Sequence, residues 1–293
     1  MNSKDNIEFD PFAGPELLAV VPLTDAQNEI FTSIMIEDAA SLCFNESFSV
    51  HLQGRLKTDI LIESIDELIT RHDSLRSTIT PDGKNLNIYR EIPYNVPVIN
   101  APPFSSDDFL NIINEQMRTV FDLVNGPLLK IIIFCHNPEE HTLLLMAHHI
   151  ICDGWSLDVL LNDLSIFYTS KIKHEDINIK DASQFSQYVE QLNDQDALKK
   201  QSIDFWKNKF AEEIPWLDLP IDFSRPEIRS YNASRIVRQL NRDCLNKIKN
   251  LAMKTQSSFF GVFSAALAVH LSHITGQNSI IIGVPFAGQP FSA

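Results

Sequence analysis

The chain has 293 residues, 44% of them hydrophobic, enough to supply the core of one large domain or two smaller ones. Its formal net charge of −14 disfavours a nucleic-acid backbone or an anionic membrane as partner, and the acidic residues are spread along the chain rather than gathered in a tail. The four cysteines, Cys43, Cys135, Cys152 and Cys244, form no C-x-x-C pair, which argues against a structural zinc site and suits a reducing cytoplasm.

Residues 1–20 read as an extended lead-in, and the opening MNSKDNIEFDPF lacks the pattern of a signal peptide. In PLTDAQNEIFTSIMI, Thr24 with Gln27 three residues on has the spacing of a capping box, so a helix follows. ESFSVHLQG alternates Phe48, Val50 and Leu52, as a half-buried strand does. Leu61, Ile65, Leu68 and Ile69 then fall on one helical face, with Asp59 in the first turn and Arg71 near the last, as the helix dipole favours. PDGKNLNIY reads as a turn into a strand.

Two apolar runs, 128–135 and 141–149, joined by HNPEE, predict a hairpin with a central strand buried on both faces. From Ser156, a candidate cap, the pattern is helical through Leu157, Leu160, Leu161, Leu164, Phe167 and Tyr168. Residues 171–200 are polar, with one short helix around FSQYVEQL. A helix at IDFWKNKF, the turn DLPIDFSRPE, a strand at SRIVRQL, helices over 243–255 and 257–273, and a strand at SIIIG complete the chain. The run FFGVFSAALAVHL, at 13 residues, is too short to span a bilayer and reads as a buried helix. Strands and helices alternate irregularly, so the class is α/β or α+β with a mixed sheet. Residues 1–175 are expected to form an N-terminal lobe, 176–200 a crossover, and 201–293 the beginning of a second, incomplete lobe.

The stretch MAHHIICDGWS, 146–156, carries the chemistry. A strand ending at His149 fixes an imidazole at the rim of a sheet, and a short loop brings Asp153 back toward it. Gly154 lets the backbone pass close to a ligand, and the following helix aims its free N–H groups into the same space. A base and amide donors in one small volume are what acyl transfer requires. The ordinary pKa of histidine, about 6.5, suits the role. The competing reading is a polar sheet rim without chemistry. A shared metal is disfavoured, because adjacent strand residues such as His148 and His149 face opposite ways.

HHIICDG resembles the HHxxxDG signature of the condensation domains of nonribosomal peptide synthetases, which are similar in fold to chloramphenicol acetyltransferase. Other pieces resemble the family in order: PLTDAQNEIF (22–31), RHDSLR (71–76) with Asp73 for the usual Glu, and FSQYVEQ (185–191) with Gln187 and Gln191 for the usual Asp and Trp. DFWKNKF, LPIDFSRP and TGQNSIIIGVPFAGQP follow, the last with Gln289 for Arg. The resemblance covers the chain nearly end to end and implies a two-lobe acyltransferase fold with mixed sheets. CFNES (43–47) and AGQ resemble the subgroup that follows polyketide modules, a hint of a polyketide-type acyl donor.

By this resemblance His149 is the catalytic histidine, either a base or a stabiliser of the tetrahedral intermediate. His148 supports the loop, and Gly154 offers its N–H to the oxyanion. Asp153 is expected in a structural salt bridge with Arg71, Arg76 being the runner-up. Trp155 and Trp206 read as packing residues, and Cys152 receives no catalytic role. The implied activity is amide formation between an upstream acyl thioester and a downstream aminoacyl thioester, each on the phosphopantetheine arm of a carrier protein in a multidomain cytoplasmic synthetase. No bound cofactor, metal, nucleic acid or membrane is implied. A free-standing acyltransferase with a diffusible acceptor, and a fragment that only docks carriers, are the alternatives.

Overall fold

The computed structural model describes residues 14–36, 39–193, 196–212, 214–227, 230–231 and 233–285. The chain divides into two compact units between Asp196 and Ala197.

The first unit holds two sheets. In the smaller, β1 (Leu17–Pro22), β4 (Asn85–Tyr89) and β3 (Ser77–Ile79) pair antiparallel in the order β1-β4-β3. The larger has the order β2-β7-β6-β5, from β2 (Asn45–Gln53), β7 (Glu140–His148), β6 (Leu129–Asn137) and β5 (Val98–Asn100). β5 runs parallel to β6 and the other pairs are antiparallel, so this sheet is mixed, as expected. β6 and β7 are the predicted hairpin. β7 lies between two partners and Leu143 through Ala147 are all buried, so both its faces are covered. β2 keeps strict register with β7 from Asn45 opposite His148 to Gln53 opposite Glu140. Phe48, Val50 and Leu52 lean on the core as their alternation predicted.

Helices α1 (Asp25–Ile36), α2 (Ala39–Cys43), α3 (Thr58–Arg71), α4 (Asp107–Gln116), α5 (Gly154–Lys173) and α6 (Phe185–Asn193) complete this unit. α3 packs against α5 and buries Leu61, Ile65, Leu68 and Ile69, the predicted face. Each such side chain contributes about 1.5–3 kcal/mol when removed from water. The capping box of α1 is present: the Gln27 side chain accepts the Thr24 N–H at 3.0 Å, and Thr24 Oγ1 accepts the Gln27 N–H at 3.3 Å. α4, capped by Ser106, and β5 were not anticipated, although Phe109, Ile112 and Ile113 of α4 have helical spacing and face the core.

The second unit contains the helical residues from 197 onward of α7 (Asp196–Lys209), with α8 (Arg242–Lys254) and α9 (Phe259–Thr275). α8 and α9 start at the N-caps Asn241 and Ser258 and pack on each other. Gly276 ends α9 in the left-handed region at φ 71°, where a glycine carries no Cβ penalty. Two expectations fail here. SRIVRQL and SIIIG form no strand and pair with no described residue; Ile236 and Val237 are exposed. α9 is not buried: none of its residues is. The segment from Phe286, with Gln289, lies outside the described residues, as do residues 1–13 of the lead-in. Among the described residues no single helix is long and apolar enough to cross a membrane.

Candidate active site

Strand pairing sets the histidine pair. β7 ends at His148, whose N–H donates to the Leu128 carbonyl at 3.0 Å, and the ladder to β2 gains one further rung as the His149 N–H donates to the Phe44 carbonyl at 2.6 Å. The two side chains meet opposite environments. His148 is fully buried, with the rings of Phe44 and Phe121 at 6.2 and 6.3 Å. Its Nδ1 accepts the Ile150 N–H at 3.2 Å, so the proton of the neutral ring sits on Nε2, which is buried without a hydrogen-bond partner among the described residues. Burial, then the neighbouring His149, pull its pKa down to about 4. A neutral, walled-in ring supports the loop. The side chain of His149 is 36% accessible and its Nε2 lies 3.4 Å from Glu46 Oε1.

The loop then turns into α5. Asp153, extended at φ −127° and ψ −179°, is the N-cap. Its carboxylate accepts the Ser156 N–H at 2.7 Å and the Ser156 hydroxyl at 2.6 Å, while Ser156 Oγ accepts the Asp153 N–H at 3.2 Å. Ser156 is therefore the third residue of the helix in a reciprocal box and not the cap, because Gly154 is already helical. The N–H groups of Gly154 and Trp155 have no acceptor among the described residues. They are the open donors that a helix N-terminus leaves. A Cβ built on Gly154 would meet nothing within 4 Å, so the space over this turn is open.

The expected Asp153–Arg71 salt bridge is absent. Arg71 Nε donates to Asp163 Oδ2 at 2.9 Å, and His72 Nε2 meets the same oxygen at 2.9 Å. Asp163 lies ten residues along α5 from Asp153, roughly 15 Å at 1.5 Å per residue, so one guanidinium cannot serve both. Asp153 spends its carboxylate on its own helix terminus instead. Arg76, the runner-up, is also engaged elsewhere. It is buried and donates to the carbonyls of Ile69, Tyr89, Arg90 and Thr70, and burial lowers its pKa.

The remaining motif residues hold the site from outside. Gln27 Nε2 donates to the Ile150 carbonyl at 2.8 Å, tying the start of α1 to the histidine loop. Asp73 receives the N–H groups of Phe185 at 2.8 Å and Ser186 at 3.1 Å and the Ser186 hydroxyl at 2.6 Å, which caps α6. Gln184 in turn accepts the Asp73 N–H and donates to the Arg71 carbonyl. RHDSLR and FSQYVEQ are thus stitched together. The sequence reading missed these links, together with Asp163 and Glu46. Asp163 carried a signal, a carboxylate on the same stripe as Leu160, Leu164 and Phe167, all buried.

Cys152 is buried, and its thiol is pushed up to about 12 by that burial and then by the carboxylates of Glu46 and Asp153. A thiolate nucleophile is therefore not formed there. Trp155 and Trp206 were expected to pack: Trp155 is exposed, at 72%, while Trp206, 57% exposed, stacks on Phe210 with ring centroids 5.7 Å apart. Among the described residues no group of three or more His, Cys, Asp or Glu is placed to hold a metal ion.

The chain has counterparts among known proteins. The family model described as Condensation domain matches residues 18–292. Bacitracin synthase 2 of Bacillus licheniformis is 32% identical over 271 residues, 92% of this chain but 10% of that protein. Surfactin synthase subunit 1 of Bacillus subtilis (strain 168) is 30% identical over 271 residues, 92% of this chain and 7% of that protein. This chain therefore spans a tenth or less of those relatives. Among solved structures, the complex of the X-domain and OxyB from teicoplanin biosynthesis matches with TM-score 0.76 at 24% identity, over 89% of this chain and 58% of that one. The four-domain nonribosomal peptide synthetase holo-AB3403 matches with TM-score 0.76 at 20% identity, over 94% of this chain and 21% of that one.

Proposed function

This chain belongs to the condensation-domain family, and on that premise we propose that it joins a thioester-bound acyl group to the amine of an aminoacyl thioester, making an amide. In this reading each substrate rides on the phosphopantetheine arm of a carrier protein, the acyl donor upstream and the amine acceptor downstream, within a multidomain cytoplasmic synthetase of the nonribosomal-peptide kind. The chain contributes side chains and backbone donors and no bound cofactor.

The observation that carries the reading is the contrast between the two histidines. His148 is sealed and neutral, whereas His149 is accessible at the sheet rim, five residues before α5, whose first two amides are open. An α-amino group has a pKa of about 7.7–8.0, so a useful fraction is already neutral near pH 7 and can attack the thioester carbonyl unaided. The C–N bond forms, the carbonyl oxygen becomes an oxyanion, and the nitrogen becomes an ammonium. His149 takes the ammonium proton, and the Gly154 and Trp155 amides stabilise the oxyanion. Collapse breaks the C–S bond, and the departing thiolate takes the proton from the His149 imidazolium to leave as the donor's thiol.

The test is a thioester-aminolysis assay with a carrier-bound acyl donor and a carrier-bound aminoacyl acceptor. His149→Ala is expected to lower kcat roughly 100-fold or more, the usual weight of a positioned acid–base group. A parent chain that forms no amide overturns the reading. Equal turnover with a diffusible amine identifies a free-standing acyltransferase instead.

A further inference from the structure

Glu46 is the charged residue nearest the reactive ring, and no motif of the histidine loop includes it. It stands one residue inside the end of β2, opposite Ala147, on a strand whose first residue is tied down. The side-chain amide of Asn45 donates to the Thr119 carbonyl at 2.7 Å and the Met117 carbonyl at 3.4 Å, and the His149 N–H grips Phe44 on the other side. The carboxylate is therefore presented from a fixed backbone. It reaches His149 Nε2 at 3.4 Å, and both side chains are about one-third accessible, 35% and 36%. Neither nitrogen of that ring makes a hydrogen bond with a described residue, and Nε2 is the one that faces a carboxylate. Of the other ionisable groups in the loop, His148 is neutral and buried, Cys152 is held as a thiol and Asp153 is committed to Ser156. Glu46 alone of these has a carboxylate turned to the ring.

We propose that Glu46 is a positioning residue that holds His149 by Nε2, fixing the tautomer in which Nδ1 is the proton acceptor. The inference rests on the condensation reading above. A base whose second nitrogen is held by a carboxylate is oriented before substrate arrives, and the imidazolium formed when it takes the amine proton is stabilised where it forms. At 3.4 Å the pair is an ion-pair contact rather than a formed hydrogen bond, and in substrate-free sites such contacts are often longer than in the working complex.

The test has two arms on the intact chain. In the aminolysis assay, Glu46→Ala lowers kcat roughly tenfold or more while the acceptor KM stays within about twofold, and Glu46→Gln, which keeps an acceptor oxygen but no charge, falls between. Adding Glu46→Ala to His149→Ala costs nothing further, since the carboxylate acts only through the ring. Unfolding midpoints of all variants match the parent. A rise in KM at unchanged kcat, or an undiminished loss in the double variant, overturns the proposal. The second arm needs no turnover. Nitrogen-15 spectra of the neutral ring show His149 protonated on Nε2 in the parent and a tautomer mixture in Glu46→Ala. A ring protonated on Nδ1 in the parent overturns the proposal even in an active enzyme. An Nε2-protonated, Glu46-dependent ring in a chain that makes no amide leaves the pair standing and removes the condensation reading.

Discussion

Exchanging Asp163 for alanine tests which carboxylate is the structural one. The Asp163 side chain is 6% accessible and one of its oxygens holds both Arg71 Nε and His72 Nε2 at 2.9 Å. Removing it leaves a guanidinium that is 17% accessible and keeps its bond to the Lys180 carbonyl, and a histidine whose pKa burial already lowers. His72 can shed its proton, so the stranded charge is Arg71. Breaking a buried pair costs about 3–5 kcal/mol, and the partial access and surviving carbonyl bond of Arg71 set the expectation near 3 kcal/mol. That is on the order of a 150-fold shift in the unfolding equilibrium. Asp153→Ala loses only an N-cap and strands no charge, for about 1 kcal/mol. Urea unfolding followed by circular dichroism, with the m-value held constant, measures both. If Asp153→Ala costs as much as Asp163→Ala, the assignment of Arg71 to Asp163 is wrong and the motif aspartate carries the ion pair after all.

Two further outcomes follow from the site. His148 has a folded pKa of about 4 against an ordinary 6.5, so between those values the unfolded chain binds the extra proton and stability rises with pH. Its contribution is complete above about pH 6.5 and is lost toward pH 4, about 3 kcal/mol in all. His148→Asn keeps an acceptor for the Ile150 N–H and flattens that part of the curve; an unchanged slope refutes the assignment. Gly154→Ala is expected to leave stability within about 0.5 kcal/mol, since the new methyl meets no atom of the protein, yet to lower aminolysis roughly tenfold by occupying the space in which the thioester carbonyl must sit. Parent-like turnover would mean that the acyl group does not approach this turn.

The legible parts of the sequence were those with local periodicity. The stripe Leu61, Ile65, Leu68, Ile69, the box of Thr24 and Gln27, and the hairpin ending at the histidines each depend on residues a few positions apart, and each formed as read. What was not legible depends on register between distant elements. Nothing in the sequence tells whether Arg71 meets Asp153 or Asp163, because both stand on α5 and only the packing of α3 against it decides. Glu46 became visible only when the pairing of β2 with β7 placed it beside His149. The strands expected at SRIVRQL and SIIIG had the right composition, but a strand also needs a partner, which composition does not supply.

The Gln27 carboxamide reaches in two directions at once, its oxygen to the Thr24 amide and its nitrogen to the Ile150 carbonyl. Fraying of the first turn of α1 is therefore expected to loosen the histidine loop as well, although the two segments lie 123 positions apart along the chain. Their backbone amides should exchange with solvent deuterium at matched rates, and a change that loosens α1 far from any substrate would blur the aim of His149.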